Sequence, residues 1–336
     1  MREIALEDSM PLGLRGRGTI LPLVVLLAGA PERVGAQIYL TQWGSYGTGD
    51  GEFLATVGVA TDPAGNVYVA DPEHHRIQKF TGAGLYVTQW GSLGGGGTQF
   101  GPGGPMGVAT DAAGNVYVSD PGNHRIKRFM SSGAFVTEWG SAGSGIGQLS
   151  SPFGVATDPA GNVYVAEYGN HRIQKFTGTG TYLGHWGSSG NGPGQFDGPF
   201  GVATDAAGGV YVADERNHRI QKFSGSGVYL TQWGGIGSGD GEVYFPRGVA
   251  TDAAGDVYVT EENDRVQKFT GAGAYLTQWG ANGSADGELM SPDGVAVDAA
   301  GHVFVADNGN FRIQKFGPGT TPARHSAWGR LKRLYR

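Results

Sequence analysis

The segment Gly58–Phe80 reads GVATDPAGNVYVADPEHHRIQKF, and close copies of it begin at Gly107, Gly154, Gly201, Gly248 and Gly294. The six units follow one another at intervals of 46 to 49 residues. Units of this period, rich in Val, Tyr, Phe and Trp, indicate four short strands each. One four-stranded sheet cannot bury both of its faces alone, whereas six sheets arranged radially cover one another. The repeat therefore predicts an all-β fold, a six-bladed β-propeller of four-stranded antiparallel blades.

The strand pattern within a unit also predicts how the ring closes. Strands a, b and c of the first unit are the runs Gly-Val-Ala-Thr-Asp, Asn-Val-Tyr-Val-Ala-Asp and Arg-Ile-Gln-Lys-Phe, and strand d is the run Tyr-Val-Thr-Gln-Trp that ends at Trp90. Five units have such a strand d, but none follows Phe316. The missing run stands at residues 38–43, which read Ile-Tyr-Leu-Thr-Gln-Trp. We therefore predict that the N-terminal strand completes blade six and closes the ring by hydrogen bonds between the two ends of the chain.

Composition and charge exclude several classes of protein. The chain of 336 residues contains 63 Gly and 16 Pro, which makes long helices improbable. It has no cysteine, which excludes disulfides, thiolate zinc sites and cysteine nucleophiles. The net charge of -6 is unevenly distributed, since residues 1–36 are balanced, residues 318–336 carry five bases and no acid, and the part between them carries -11. Such an acidic body repels phosphate backbones, so we expect no nucleic-acid partner.

The two ends of the chain lie outside the repeats. Residues 19–30 read TILPLVVLLAGA, an apolar run too short to span a bilayer, with Arg15 and Arg17 before it and small residues after it. This pattern is typical of a secretory signal peptide, so we predict a signal peptide at 1–36, with Met10 as an alternative start. The propeller is predicted at 37–317, with no transmembrane span. Residues 318–336 are predicted to be a basic, disordered tail.

Recurring motifs across residues 38–316 make the chain resemble the NHL-repeat propellers. These motifs are G-V-A-[TV]-D, x-V-[YF]-V-x-[DE], N-H-R-[IV]-[QK]-[KR]-F and a closing W-G, with Asn-His-Arg intact at 123–125, 170–172 and 217–219. The resemblance implies the propeller fold and leaves function open. It covers sensor and scaffold domains of surface proteins, RNA- or protein-binding modules of tripartite-motif ubiquitin ligases, and a peptide-amidating lyase. The ligase interpretation is wrong for this chain, because a chain without cysteine cannot build a RING zinc site.

Every unit ends strand b with an acidic residue and begins strand c with an arginine. The six pairs are Asp71/Arg76, Asp120/Arg125, Glu167/Arg172, Asp214/Arg219, Glu261/Arg265 and Asp307/Arg312. They could be taken for catalytic dyads. A feature present in every blade meets a need of every blade, so we interpret them as structural ion pairs that satisfy the b–c turn and tie blades together.

The sequence predicts no metal site and no cofactor. Four units place a histidine before the arginine, at His75, His124, His171 and His218. Equivalent positions in a six-fold ring are separated by their own radius, which is too far for two of these histidines to share one ion. The acidic segments 239–242 and 285–288 have too few ligands for a true calcium loop, although weak calcium binding there stays open. No catalytic constellation stands outside the repeat pattern.

The variable end of the propeller is the predicted binding surface. The a–b and c–d turns are short and uniform, whereas the b–c and d–a loops vary and share the opposite end of the strands, here named the loop face. Its innermost position is the residue before the glycine of each strand a, and these six residues are here named the mouth. The mouth consists of Val57, Met106, Phe153, Phe200, Arg247 and Asp293. An apolar crescent facing a charge pair suits a small ligand or peptide.

We expect Phe153 and Phe200 to clamp an apolar group while Arg247 and Asp293 orient the polar end of the same ligand. The alternative is that the aromatic residues only plug the channel. In that case the binding site lies farther out on the b–c loops, near Tyr168, Arg216 and Glu262.

The functional hypothesis is an exported, non-enzymatic recognition or scaffold propeller, secreted or located in the cell envelope, that binds a protein or peptide on the loop face as a monomer. The alternative hypothesis is a lyase or hydrolase with its active site at the mouth. An enzyme would need a cluster of His, Tyr, Arg or acidic residues near the channel. The sequence places only Arg247 and Asp293 there, so no catalytic residue is predicted.

Overall fold

The computed structural model describes residues 37–319, which form six four-stranded antiparallel sheets. Blade one contains β2 (Val59–Thr61), β3 (Asn66–Asp71), β4 (Arg76–Thr81) and β5 (Tyr86–Trp90). Blade two contains β6 (Val108–Thr110), β7 (Val116–Asp120), β8 (Arg125–Phe129) and β9 (Phe135–Trp139). Blade three contains β10 (Pro152–Thr157), β11 (Asn162–Glu167), β12 (Arg172–Thr177) and β13 (Tyr182–Trp186).

The other half of the ring repeats this order. Blade four contains β14 (Pro199–Thr204), β15 (Gly209–Asp214), β16 (Arg219–Ser224) and β17 (Tyr229–Gly234). Blade five contains β18 (Pro246–Thr251), β19 (Val257–Glu261), β20 (Arg265–Phe269) and β21 (Tyr275–Trp279). Blade six contains β22 (Pro292–Val297), β23 (Val303–Asp307), β24 (Arg312–Pro318) and β1 (Gln37–Trp43). The predicted all-β six-bladed propeller is confirmed.

Closure by the N-terminal strand is also confirmed. Strand β1 pairs antiparallel with β24, from Gln37 opposite Pro318 to Trp43 opposite Ile313. Trp43 then packs as the other strand d tryptophans do, with its ring centre 5.8 Å from that of Phe80 in blade one. The equivalent distance from Trp90 to Phe129 is 5.7 Å. The first strand of the chain therefore occupies the place of an ordinary outer strand.

Packing between neighbouring blades forms the core. Each of six buried clusters joins the inner strands of one blade to those of the next. At the end of the channel opposite the loop face, threonine hydroxyls donate from blade to blade, as Thr110 does to the carbonyl of Thr61 at 2.7 Å. Five such bonds exist among the described residues, and Val297 has no hydroxyl to make the sixth.

Short 3₁₀ turns in four of the b–c connections were not predicted from the sequence. They span Pro72–His74, Pro121–Asn123, Glu215–Asn217 and Asn308–Asn310. In the first two, proline at the start fixes φ for the turn. The predicted signal peptide at 1–36 lies outside the described residues, as does nearly all of the predicted tail. Residues 37–319 contain no helix with the length and apolarity needed to cross a bilayer.

Candidate functional site at the mouth of the channel

The six mouth residues line one cavity of about 70 Å³ at the loop-face end of the channel. Close contact between neighbouring strands a makes this end narrow. A Cβ atom on Gly58 would lie only 2.3 Å from the carbonyl oxygen of Met106 in the next blade, so this position accepts only glycine. Comparable contacts recur at the equivalent glycine of every blade. A cavity of this size admits part of a side chain rather than a drug-sized ligand, which needs roughly 300 Å³ or more.

Irregular pairing sets the direction of four mouth side chains. In blades three to six the a–b register shifts by one residue, for example between Pro152 and Val155, and the mouth residue stands inside the shift. An extra residue in one strand re-aims the side chain that it carries. The four residues placed in this way are Phe153, Phe200, Arg247 and Asp293.

Three aromatic rings form one side of the site. The ring centres of Phe153 and Phe200 are 5.1 Å apart, close enough for the expected clamp. Tyr168, from the b–c turn of blade three, lies 4.9 Å from Phe153 and 6.5 Å from Phe200. From the sequence, Tyr168 belongs to the alternative site farther out on the b–c loops. The structure joins it to the mouth.

The charged side differs from the expectation. Arg247 does not face the channel with a free guanidinium, because its Nη1 donates to Asp293 Oδ1 at 2.6 Å and its Nη2 donates to Glu262. A third carboxylate, that of Glu215, lies 3.8 Å from its Nε. Burial opposes the charge, but Asp293 and Glu262 more than offset this effect and hold the pKa of Arg247 above its ordinary value. The expectation that Arg247 and Asp293 orient the polar end of a ligand stays a prediction, and in this structure the two side chains bind each other.

Two of the three carboxyl groups around Arg247 are buried, those of Asp293 and Glu215, whereas Glu262 is exposed. Burial raises the pKa of Asp293, although Arg247 and the amide of Asn308, which donates to Asp293 Oδ2 at 2.8 Å, oppose the rise. Burial also raises the pKa of Glu215, against a hydrogen bond from Tyr168. Three carboxylates thus share one guanidinium. Sequence analysis missed Glu215 because it belongs to a b–c turn that looked like an ordinary part of the repeat.

Five of the six predicted acid–arginine pairs are in direct contact, such as Asp214 Oδ2 with Arg219 Nε at 2.7 Å. The other four are Asp71/Arg76, Glu167/Arg172, Glu261/Arg265 and Asp307/Arg312. Each of these arginines also donates to carbonyl groups of the d–a loop, as Arg76 does to Gly49 at 3.1 Å and to Glu52 at 2.6 Å. The pair therefore clamps the loop that joins two blades.

The predicted pair Asp120/Arg125 is the exception. Arg125 contacts Glu138 instead. Lys127 stands where the other units have glutamine, donates to Gly96 O at 2.6 Å and to Glu138 at 2.9 Å, and leaves its ammonium 3.9 Å from Asp120. In blade two, Lys127 therefore makes the contacts with the d–a loop that an arginine makes in the other blades, and Arg125 pairs with Glu138 of the outer strand.

Three of the four repeat histidines, His75, His171 and His218, join neighbouring blades. His75 Nδ1 donates to the carbonyl of Gly101 at 3.1 Å, while His171 and His218 accept the amides of Gly198 and Phe245 at 3.2 and 3.1 Å. All four repeat histidines have positive φ, from 52° to 54°. Each of the three bonds connects a b–c turn to the next d–a loop. Within residues 37–319 no group of three or more His, Asp or Glu residues is placed to hold a metal ion.

Comparison with known protein families identifies repeats of a propeller-forming type, in agreement with the six four-stranded sheets. Five segments match the model of the NHL repeat, at residues 57–80, 103–129, 149–176, 196–223 and 289–316. The protein is an NHL-repeat propeller. The fifth unit lies outside these matches although it folds as blade five, and its b–c turn is one residue shorter than that of blade four.

Solved structures similar to this NHL-repeat propeller share its fold at low identity. A structural genomics protein of unknown function from Bacteroides thetaiotaomicron is 18% identical over 84% of this chain and 76% of its own, with a TM-score of 0.64. A nidogen/laminin complex is 18% identical over 75% and 84% of the two chains, with a TM-score of 0.55. A catalytically inactive histidine-to-alanine variant of virginiamycin B lyase from Staphylococcus aureus, with quinupristin, is 14% identical over 84% and 98%, with a TM-score of 0.55. A sequence comparison with curated proteins gives no significant match.

Proposed function

We propose that this NHL-repeat propeller is an exported recognition module that binds a protein or peptide on its loop face. The observation that carries the proposal is the aromatic cluster of Phe153, Tyr168 and Phe200 beside a narrow cavity. These aromatic residues occur in blades three and four only, and the other blades fold with different residues at the mouth position. An aromatic anchor site at the centre of a polar surface is the usual arrangement of a binding hot spot.

Exposed apolar side chains on the same face support a macromolecular partner. One d–a loop presents Met290, which is 37% exposed, and four others present a large apolar residue that is more than half exposed. These are Tyr46, Leu93, Ile146 and Ile236, with exposed fractions of 69%, 58%, 70% and 68%. A partner that covers the loop face would bury them, and each buried large side chain contributes about 1.5–3 kcal/mol. The nidogen/laminin complex, which has a similar fold, is an example of such a propeller in a protein complex.

A display experiment tests the proposal. The full chain is immobilised and used to select binders from a random-peptide library. The affinities of the selected peptides are then compared for the wild type, the Phe153→Ala/Phe200→Ala variant and the Leu85→Ala/Val228→Ala variant, which changes exposed residues of c–d turns. We expect the mouth variant to bind about tenfold more weakly or worse, and the control variant to bind like the wild type.

The folding of both variants is checked by thermal melting, monitored by circular dichroism. Equal binding by the wild type and the mouth variant would show that the aromatic cluster is only a channel plug. An equal loss of peptide affinity in the mouth variant and in the control variant would mean that binding does not depend specifically on the mouth.

A lyase or hydrolase active site at the mouth is the second candidate. The fold shared with virginiamycin B lyase favours it. The nearby histidines weigh against it, since His171 and His218 each use Nδ1 to accept a backbone amide. Incubation of the full chain with quinupristin, followed by mass spectrometry, tests this candidate for one substrate, and turnover would contradict the recognition proposal.

A further inference from the structure

Acidic residues on the loop face are concentrated in half of the ring. Three consecutive d–a loops, those that lead into blades five, six and one, carry the motif Asp-Gly-Glu at 240–242, 286–288 and 50–52. The other three loops have Gly97, Ile146 or Pro193 at the aspartate position and Gln99, Gln148 or Gln195 at the glutamate position. The three Asp-Gly-Glu segments are here named the acidic half-rim.

The fold does not require the charge of these glutamates. Glu52 accepts the amide of Gly49 at 2.8 Å, which closes the loop on itself. Gln99 accepts the amide of Gly96 in the same way at 3.0 Å. The four other loops make the same bond with either residue type. Because glutamine serves the loop as well as glutamate does, the negative charges call for another explanation.

Arg76, Arg265 and Arg312 donate to backbone carbonyl groups of these three loops and not to the carboxylates of the half-rim. Within residues 37–319 its six carboxylates form no ion pair with Lys, Arg or His. The a–b turns at the opposite end differ, because lysines of strand c lie beside their aspartates. Lys268 is 3.0 Å from Asp252, and Lys175 is 3.7 Å from Asp158. The charge excess of the propeller is therefore carried mainly by the loop face.

The mouth independently favours a cation. Asp293, Glu262 and Glu215 lie around the guanidinium of Arg247, and Arg216 lies beside Tyr168, so three carboxyl groups face two guanidinium groups there. Two of the aromatic rings already hold guanidinium groups, with Arg216 5.1 Å from the centre of Tyr168 and Arg247 5.9 Å from that of Phe200. Ring faces attract cations through their quadrupole. The mouth and the acidic half-rim thus select the same sign of charge.

We propose that the partner is a basic polypeptide segment, whose Lys or Arg side chains lie along the acidic half-rim and reach the mouth. This inference rests on the proposed function and specifies its partner. A phosphate-bearing partner would be repelled. A single metal ion does not fit, because no three ligating residues converge in the described part of the chain.

Oligolysine binding tests the inference, with a variant that keeps the net charge. The probe is a fluorescent ten-residue oligolysine, which spans about 33 Å when extended. The full chain is compared with the neutralised variant Glu52→Gln/Glu242→Gln/Glu288→Gln. The redistributed variant adds Gln99→Glu, Gln148→Glu and Gln195→Glu to these three changes, so its net charge equals that of the wild type. We expect both variants to bind about tenfold more weakly at low salt, and the wild-type affinity to fall as salt rises.

Binding of the redistributed variant as tight as that of the wild type would overturn the inference, since only total charge would then matter. A variant that lacks residues 320–336 identifies a competing occupant. If its removal raises the affinity for oligolysine, the chain's own basic end occupies the half-rim and the inference of a separate partner is wrong. If the affinity is unchanged, a separate basic partner is supported.

The display experiment distinguishes this inference from the proposed function. Selected peptides that need Phe153 and Phe200 but are not basic, and that bind the neutralised variant normally, would overturn the basic partner while supporting recognition at the mouth. Loss of oligolysine binding in the neutralised variant, together with no effect of the mouth variant on any peptide, would support the basic partner and contradict the aromatic anchor.

Discussion

Glu215, next to the mouth residue Arg247, is a carboxyl group in an environment that disfavours its charged form. Glu215 is buried, with 8% of its surface exposed, and its neighbours are Tyr168, Arg247 and Glu262. Burial raises its pKa, and Glu262 adds to the rise, while the hydrogen bond from Tyr168 and the charge of Arg247 oppose it. The folded protein therefore holds a proton on Glu215 more tightly than the unfolded chain does.

This difference predicts the sign of a pH effect. A carboxyl group with a raised folded pKa makes the protein less stable as the pH rises from the ordinary glutamate value through the folded value. We expect the change Glu215→Gln to remove this contribution while a hydrogen-bond acceptor stays beside Tyr168. The measurement is the free energy of unfolding in urea for both proteins between about pH 4 and pH 7.

The expected result is that the wild type loses stability relative to Glu215→Gln as the pH rises. A difference that does not change with pH, or that changes in the opposite direction, would contradict the environment described for Glu215. Carboxylates remote from Glu215 cancel in the comparison, whereas Glu262, whose charge acts on Glu215, contributes to the measured difference.

At the scale of elements, strand β1 makes the ring continuous. It adds an outer strand to blade six and inserts Trp43 against Phe80 of blade one. The c–d turn of blade one is adapted to this tryptophan, because a Cβ atom on Gly84 would lie 2.6 Å from the indole ring. Gly133 has the same relation to Trp90. The contact between blades six and one, which β1 makes, is thus equivalent to the contact between blades one and two.

Removal of β1 should open the ring. Deletion of residues 37–43 exposes the edge of β24 and the apolar flank of blade one, and we expect a loss of several kcal/mol, since one large buried side chain alone contributes about 1.5–3 kcal/mol. The measurement is the free energy of unfolding, and the matched reference is a chain that begins at Gln37.

A pair of point variants controls for effects of truncation. Trp43→Ala and Trp90→Ala remove equivalent side chains from the closing strand and from an ordinary strand d. We expect losses of similar size, about 3–5 kcal/mol each. A Trp43 variant as stable as the wild type, or a deletion that melts like the reference chain, would mean that β1 does not close the ring.

At the scale of the whole molecule, the two ends of the propeller differ in how closely their loops repeat from blade to blade. The turns at one end repeat almost unchanged, with aspartates set beside lysines. The loop face combines the mouth, the exposed apolar loop residues and the acidic half-rim. The ring needs β1 intact, and the predicted signal peptide at 1–36 stops immediately before this strand.

Export is therefore predicted to leave a complete propeller. Cleavage after Ala36 would place Gln37, the first residue of β1, at the new N-terminus. We expect N-terminal sequencing of the protein from its native source to begin near Gln37. Protein that retains Met1 or Met10 would contradict export. Cleavage within residues 38–43 would contradict the coupling of processing to closure.

The sequence by itself determined the number of blades, the order of their strands and the closing role of residues 38–43. It did so because a repeated pattern with a constant interval needs only local information: alternating apolar residues, turn residues and the position of each tryptophan. The repeat also identified the six mouth residues, since each of them directly precedes the glycine that begins strand a in its unit. All six acid–arginine pairs were predicted, and five of them are in contact, whereas Arg125 contacts Glu138 and not Asp120.

Only the tertiary structure decided which side chains meet across blades. Arg247 contacts Glu262 within its own unit but also Asp293 and Glu215 from the units on either side. Tyr168 reaches the mouth because the register shift turns Phe153 and Phe200 toward it. Contacts between blades depend on side-chain direction and on packing around the ring, and neither is encoded in the spacing of a repeat. For this reason the sequence located the mouth, whereas only the structure showed that its arginine lies against three carboxyl groups.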